Sequence, residues 1–164
     1  MTTQALLSPV KLGPYTLPNR VAMAPMTRDR ADNPELAPTA LHVEYYAQRA
    51  AAGLIVTEGS QISPQGIGYL HTPGIHTDAQ VAGWKKVTDA VHAKGGRIFS
   101  QLWHVGAISH PDFHAGTLPV SASAFNPKAR LYTPNGMQET VAARVLTAAE
   151  VKAVVRDFVQ AARQ

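Results

Sequence analysis

Three short apolar runs break off into polar residues: Val21-Ala22-Met23-Ala24, Leu54-Ile55-Val56 and Ile98-Phe99-Ser100. They give way to Pro25-Met26-Thr27, to Thr57-Glu58-Gly59-Ser60 and to Gln101-Leu102-Trp103-His104. Between them the period changes to that of a helix. Val43, Tyr46, Ala47, Ala50 and Leu54 fall at i, i+3, i+4, i+7 and i+11. That spacing predicts a helix over about 39–52, ended by Gly53 in the left-handed conformation. Thr77-Asp78-Ala79-Gln80 has capping-box spacing and opens a second helix with Val81, Trp84, Val87 and Val91 on one side, closed by Gly95-Gly96. Thr147-Ala148-Ala149-Glu150 opens a third, with Val151, Val154, Val155, Phe158 and Ala162 expected to face inward.

Strands over about 21–25, 54–58 and 97–102, alternating with helices, predict an α/β protein with a parallel sheet. In such sheets chemistry sits where the strands end, so the three polar exits should line one site. Val10-Lys11-Leu12 and Tyr15-Thr16-Leu17 flank Gly13-Pro14 and read as a hairpin. Residues 28–37 and 61–76 read as loops. The segment 104–146 holds four prolines and three glycines and reads as a long loop, a candidate lid over a site. Three parallel strands leave two open edges, and the last helix should pack on a fourth strand, so the pattern is that of part of a barrel or wound sheet.

Composition narrows the picture. A chain of 164 residues, 45% apolar and 16% charged, suits one globular domain and falls short of the roughly 250 residues of an eight-stranded barrel. The absence of Cys rules out disulfides, thiolate zinc sites and thiol nucleophiles within it. No signal peptide or membrane-spanning run is expected, which points to a cytoplasmic protein. Net charge is +4, but the 15 basic residues are scattered, so nucleic-acid binding is not expected.

Five strings then carry a family likeness. They are Asn19-Arg20-Val21-Ala22-Met23-Ala24-Pro25-Met26-Thr27-Arg28, Glu44-Tyr45-Tyr46-Ala47-Gln48-Arg49-Ala50 with Gly53-Leu54-Ile55-Val56-Thr57-Glu58-Gly59, Pro73-Gly74-Ile75, Gln101-Leu102-Trp103-His104-Val105-Gly106 and Pro119-Val120-Ser121-Ala122-Ser123. In this order, across nearly the whole chain, they resemble the old yellow enzyme family of FMN-dependent ene-reductases. The resemblance implies a partial TIM (β/α)8 barrel: an N-terminal hairpin cap (1–20), three β/α units and the long loop 104–146. Residues 1–164 would then be the N-terminal half of an FMN-binding domain.

The resemblance also implies roles. The Thr27 hydroxyl would donate to a flavin carbonyl and tune the cofactor, with Pro25 and Met26 against the ring; Thr27 otherwise reads as a strand-ending residue bonded to its own backbone. Gly59 would let a flat ring approach the backbone, and is otherwise a turn glycine. The Gln101 amide both donates and accepts, which suits a flavin edge, and is otherwise a satisfied core amide. Tyr69 and Trp103 would line the substrate, or serve in packing. Ala107 stands where the family often has Arg. The family's substrate-anchoring pair, proton-donating Tyr and phosphate-binding residues have no counterpart here, so the chain alone is expected to be inactive.

The implied reaction takes hydride from NAD(P)H to a small activated alkene, an enone or nitroalkene. One alternative is an inactive half-barrel that self-associates or needs a C-terminal partner chain. Another is a metal-dependent hydrolase using His110-x-Asp112-x-His114 with His104. A barrel holding another phosphorylated ligand is a third. His42, His71, His76 and His92 read as surface or helix-face residues.

Overall fold

A computed structural model describes residues 3–164. A one-turn helix α1 (Thr3–Leu6) precedes an antiparallel hairpin, β1 (Val10–Leu12) and β2 (Tyr15–Leu17), in which Lys11 faces Thr16. Gly13 makes its turn at φ +54°, a region most side chains avoid. Then come β3 (Ala22–Met23), α2 (Ala40–Ala47), β4 (Leu54–Gln61), α3 (Asp78–Ala93) and β5 (Ile98–Trp103). Strands β3, β4 and β5 form one parallel sheet in that order, with Ala22 beside Leu54 and Ile55 beside Ile98. The α/β class expected from the pattern is therefore present. The first strand is shorter than expected, because Pro25 has no N–H for a ladder.

One face of the sheet carries the core. Ile55 packs there with Tyr46 and Ala50, with Trp84, Val87 and Val91 of α3, and with Ile98 and Leu102 of β5. The hairpin meets the other face at the start of β5: Tyr15 lies edge-on to Phe99 at 5.7 Å, and the Arg97 guanidinium sits 5.0 Å from the Tyr15 ring. Helix α3 opens with the expected box: Gln80 N–H donates to Thr77 Oγ1 at 3.3 Å, and Gln80 Oε1 accepts from Thr77 N at 3.2 Å. Gly95, at φ +76°, lets the chain leave that helix.

Gly53 serves a different purpose from the expected one, since its φ is not left-handed. A Cβ there would overlap the Asn19 carbonyl oxygen. Asn19 Oδ1 accepts from Gly53 N at 2.8 Å and from Val21 N at 3.0 Å, splicing the end of the α2 region to the start of β3.

The segment 104–146 is folded rather than a bare loop. It holds a 3-10 turn (Pro111–Phe113), a parallel pair β6 (Val120–Ser121) and β9 (Arg144–Val145), and a hairpin of β7 (Arg130–Thr133) and β8 (Gly136–Glu139). Thr133 Oγ1 donates to Asp112 Oδ2 at 2.6 Å and pins hairpin to turn.

The final helix α4 (Ala148–Ala161) turns a different face inward from the expected one. Val154, Phe158 and Ala161 join the core, whereas Val151 and Val155 are 42% and 56% exposed and Ala162 is exposed as well. Val151, Val155 and Val159 form an apolar stripe of their own at i, i+4, i+8, and periodicity alone does not say which stripe meets the core. Arg144 pairs with Glu150 at 2.8 Å, and Thr147 N donates to Glu150 Oε2 at 2.7 Å. The Arg144 bond first, then the Thr147 bonds, hold the Glu150 carboxyl at about 2, below its ordinary 4.5. A depressed folded value means support present above pH 4.5 and lost as pH falls toward 2. Amide exchange in the first turn of α4 should accelerate over that window; a flat profile would show the pair idle. Among the described residues no helix is long and apolar enough to cross a membrane.

Candidate functional site

Parallel pairing in sequence order brings the ends of β3, β4 and β5 to one edge of the sheet. Register decides what meets there. Val56 pairs with Phe99 and Gly59 with Gln101, so β4 carries one residue more than β5 in between. That bulge spans Thr57 and Glu58. A regular strand sends successive side chains to opposite faces, whereas a bulge lets two neighbours share one. Thr57 lies among Ile98, Ser100 and Trp84, and Glu58 contacts Tyr46 of α2, so both face the helices. Thr57 Oγ1 also accepts from Gln101 N at 3.1 Å, repairing the interrupted ladder.

Gly59 then faces away from the helices, under Trp103. A Cβ at Gly59 would overlap that ring, with Cδ2 at 2.6 Å and Cζ3 at 3.0 Å. The flat group that approaches Gly59 in this structure is therefore the Trp103 indole. Trp103 in turn stacks on Tyr69, with centroids 5.1 Å apart and planes tilted by 36°. Gly59, Gln101, Trp103 and Tyr69 are thus gathered on one side of the sheet.

Pro25, Met26 and Thr27 leave β3 along the same edge and are exposed. They are tied to β4 through Arg28, whose N–H donates to Glu58 Oε2 at 3.0 Å. Among the described residues neither the Thr27 hydroxyl nor the Gln101 carboxamide takes a protein partner, and both residues are exposed. On the helix side Ser60 pairs with Ser100 at 3.3 Å and Glu58 with Tyr46 of α2 at 3.4 Å. A donor at Thr27 and a donor–acceptor pair at Gln101, both open, suit the edge of a flavin ring.

Beneath this edge lies a buried polar cluster centred on Glu58. Tyr46 OH accepts from Glu58 N at 2.8 Å and lies 3.4 Å from Glu58 Oε1. His42 Nε2 is 3.4 Å from the same oxygen. His42 is on a helix face, but the buried one. Burial, first of all, pushes the Tyr46 hydroxyl above its ordinary range. Sequence reasoning missed the cluster. The signal was a carboxylate inside an apolar strand, which needs partners, preceded by a helix with His42 and Tyr46 at i, i+4.

The His and Asp residues considered for a metal have other partners. His114 Nε2 bonds Ser109 Oγ at 2.9 Å, and His110 Nδ1 accepts from Asp112 N at 3.2 Å. The Thr133 hydroxyl holds the Asp112 carboxyl below its usual value. His104 Nδ1 accepts from Gly106 N at 3.0 Å, and burial lowers both His104 and His114. Among the described residues no three His, Asp or Glu gather as a metal site.

A parallel α/β unit whose strand ends carry open polar groups at one edge has the layout of a ligand-binding barrel or wound sheet. The chain belongs to the NADH:flavin oxidoreductase / NADH oxidase family, whose profile matches residues 5–164. The family uses FMN, with NAD(P)H as reductant.

Within it the relatives include the old yellow enzymes, as the motifs implied. The chain is 44% identical to chanoclavine-I aldehyde reductase of Penicillium roqueforti over 163 residues, covering 96% of this chain and 42% of that protein. It is 42% identical to 12-oxophytodienoate reductase 7 of Oryza sativa subsp. japonica, covering 96% and 41%. Among solved structures, the old yellow enzyme homologue from Zymomonas mobilis superposes with a TM-score of 0.92 at 42% identity, over 97% of this chain and 44% of that one. Morphinone reductase in complex with tetrahydroNAD gives 0.88 at 47%, over 96% and 45%. The chain thus spans less than half the length of these relatives.

Proposed function

We propose that this chain is the opening portion of a TIM-barrel ene-reductase, supplying flavin-edge contacts and one wall of the substrate pocket. The observation that carries this reading is the pair of open polar groups, Thr27 after β3 and Gln101 in β5, on either side of β4 in a family member. Thr27 and Gln101 would hold FMN, which would supply hydride chemistry from NAD(P)H toward an alkene conjugated to a carbonyl or nitro group.

The chain's own residues do the holding. The Gln101 carboxamide donates and accepts along a ring edge that presents acceptors beside a donor. The Thr27 hydroxyl donates where negative charge grows on reduction, which favours the reduced state. Pro25 and Met26 offer apolar contact to the ring. Gly59 holds Trp103 close to the strand, and the Trp103–Tyr69 stack forms a wall against which a flat, conjugated substrate can lie. The hydrogen-bond donors for the substrate oxygen and the proton source belong to the part of the relatives outside the match. Those parts would also cover the exposed Phe99 face and the valine stripe of α4.

The test is a flavin titration followed by turnover. Gln101→Ala is expected to weaken FMN binding about tenfold, the loss of roughly 1–2 kcal/mol from hydrogen bonds to a buried ring edge. Enone should reoxidise the reduced, FMN-loaded protein only when the rest of the relatives' length is supplied as a second chain. FMN binding indifferent to Gln101, or no enone- or nitroalkene-dependent reoxidation on mixing with that partner, would overturn the reading.

A further inference from the structure

We propose that Glu58 is a positioning residue for Thr27: its buried carboxylate clamps the peptide bond that follows Thr27 and so aims the Thr27 hydroxyl. The inference rests on the reading of Thr27 as a flavin-edge donor.

Glu58 is fully buried, and a carboxylate out of water must use both oxygens. Oε2 accepts from Arg28 N at 3.0 Å. Oε1 faces α2, with Tyr46 OH and His42 Nε2 each at 3.4 Å. His42 Nδ1 accepts from Thr39 N at 2.9 Å, so the neutral ring carries its proton on Nε2, the atom turned toward Glu58. That Nε2 is buried and makes no hydrogen bond among the described residues; it lies 3.4 Å from Glu58 Oε1, so Tyr46 OH gives the hydrogen bond from α2 and His42 a close polar approach. Helix α2 therefore grips one side of Glu58, and Glu58 grips the loop.

The Arg28 N–H belongs to the planar peptide unit that begins at the Thr27 carbonyl, so pinning it sets the backbone angle after Thr27. Threonine has few side-chain rotamers once its backbone is set. Its hydroxyl has no described protein partner, so the backbone is what aims it.

The clamp has work to do because the next residue is strained. Asp29 sits at φ +51°, a left-handed conformation for a residue other than glycine. Arg30 Nη1 bonds the Arg28 and Asp29 carbonyls at 3.0 and 3.1 Å, and the Arg28 guanidinium lies 4.7 Å from the Tyr45 ring. The β4 bulge completes the device: it turns Glu58 toward α2 and the loop while Gly59, one residue on, faces Trp103.

Glu58→Gln keeps the shape but sets an NH2 group against either the Arg28 N–H or the His42 Nε2–H, both donors. Two readouts test the clamp. Exchange of the Arg28 amide should quicken about fivefold or more in Glu58→Gln, as expected when a charge-assisted bond is weakened. In the FMN-loaded protein, Thr27→Ala should lower the flavin midpoint potential, and Glu58→Gln should shift it the same way by a smaller amount. In the double variant the shift should equal that of Thr27→Ala alone, because residues acting through one group do not add.

Tyr46→Phe loosens the grip on Glu58 while keeping the ring, and should behave like Glu58→Gln if that variant fails to fold. Unchanged Arg28 exchange, or potential shifts that are absent or additive, overturn the positioning role alone. Protein that binds no FMN, or a potential indifferent to Thr27, overturns the functional reading and this inference with it.

Discussion

Replacing Gly59 by alanine is expected to cost about 1–3 kcal/mol of stability and to unstack Trp103 from Tyr69. The added Cβ would overlap the indole of Trp103. The ring is rigid, and Tyr69 packs against it at 5.1 Å, so the strain must move either the stack or β4. Moving β4 disturbs the pairing of Gly59 with Gln101, and the cost therefore spreads into the proposed flavin edge. Denaturant melts would read the stability, and near-UV circular dichroism the aromatic pair. A variant with an unaltered aromatic signal and midpoint would mean that Trp103 does not lie over Gly59.

Trp84→Ala is expected to be the most damaging single change to the fold, at about 3–5 kcal/mol. Trp84 is buried where α2, α3 and the sheet meet, with Tyr46 at 6.0 Å and His42 edge-on at 6.3 Å. Its Nε1 donates to the Gly74 carbonyl at 3.0 Å, so truncation leaves both a cavity and an unpaired carbonyl. Against the 5–15 kcal/mol that holds a typical domain together, a loss of this size brings unfolding within reach at ordinary temperature. Trp84→Phe should recover roughly half of the loss, since it restores packing without the donor. Urea melts of the two variants would separate the terms; a loss under about 1 kcal/mol for alanine would show that the core is not centred on Trp84.

The elements readable in advance were those with local signals. The Thr77–Gln80 and Thr147–Glu150 boxes open helices where their spacing says, and Gly13 turns the first hairpin. Apolar runs marked the starts of all three sheet strands, although only the helix-facing side is buried, with Ile55 fully covered and Phe99 44% exposed.

Other features depended on distant partners. Gly53 is small because Asn19 comes back against it, 34 positions away in sequence. The inward face of α4 was misjudged because two adjacent apolar stripes compete. The hairpin within 104–146 is short and held by Thr133 on Asp112, a bond no periodicity announces. Motif likeness singled out Thr27 and Gln101 and placed Glu58 in the polar exit of the second strand, yet its turn toward α2 was not legible, since a bulge cannot be read from alternation.

That bulge makes arithmetic part of the chemistry. Strands tolerate exchange of one residue type for another, but β4 reads its length like a screw thread: alternating regularly, without the bulge, the two positions between Val56 and Gly59 would turn Glu58 away from the helices and the glycine toward them. Removing one of the two bulge positions would leave a regular ladder with Gly59 still opposite Gln101, whereas an added residue would reverse the side of the sheet that the following residues face, so an insertion here should be more harmful than a deletion.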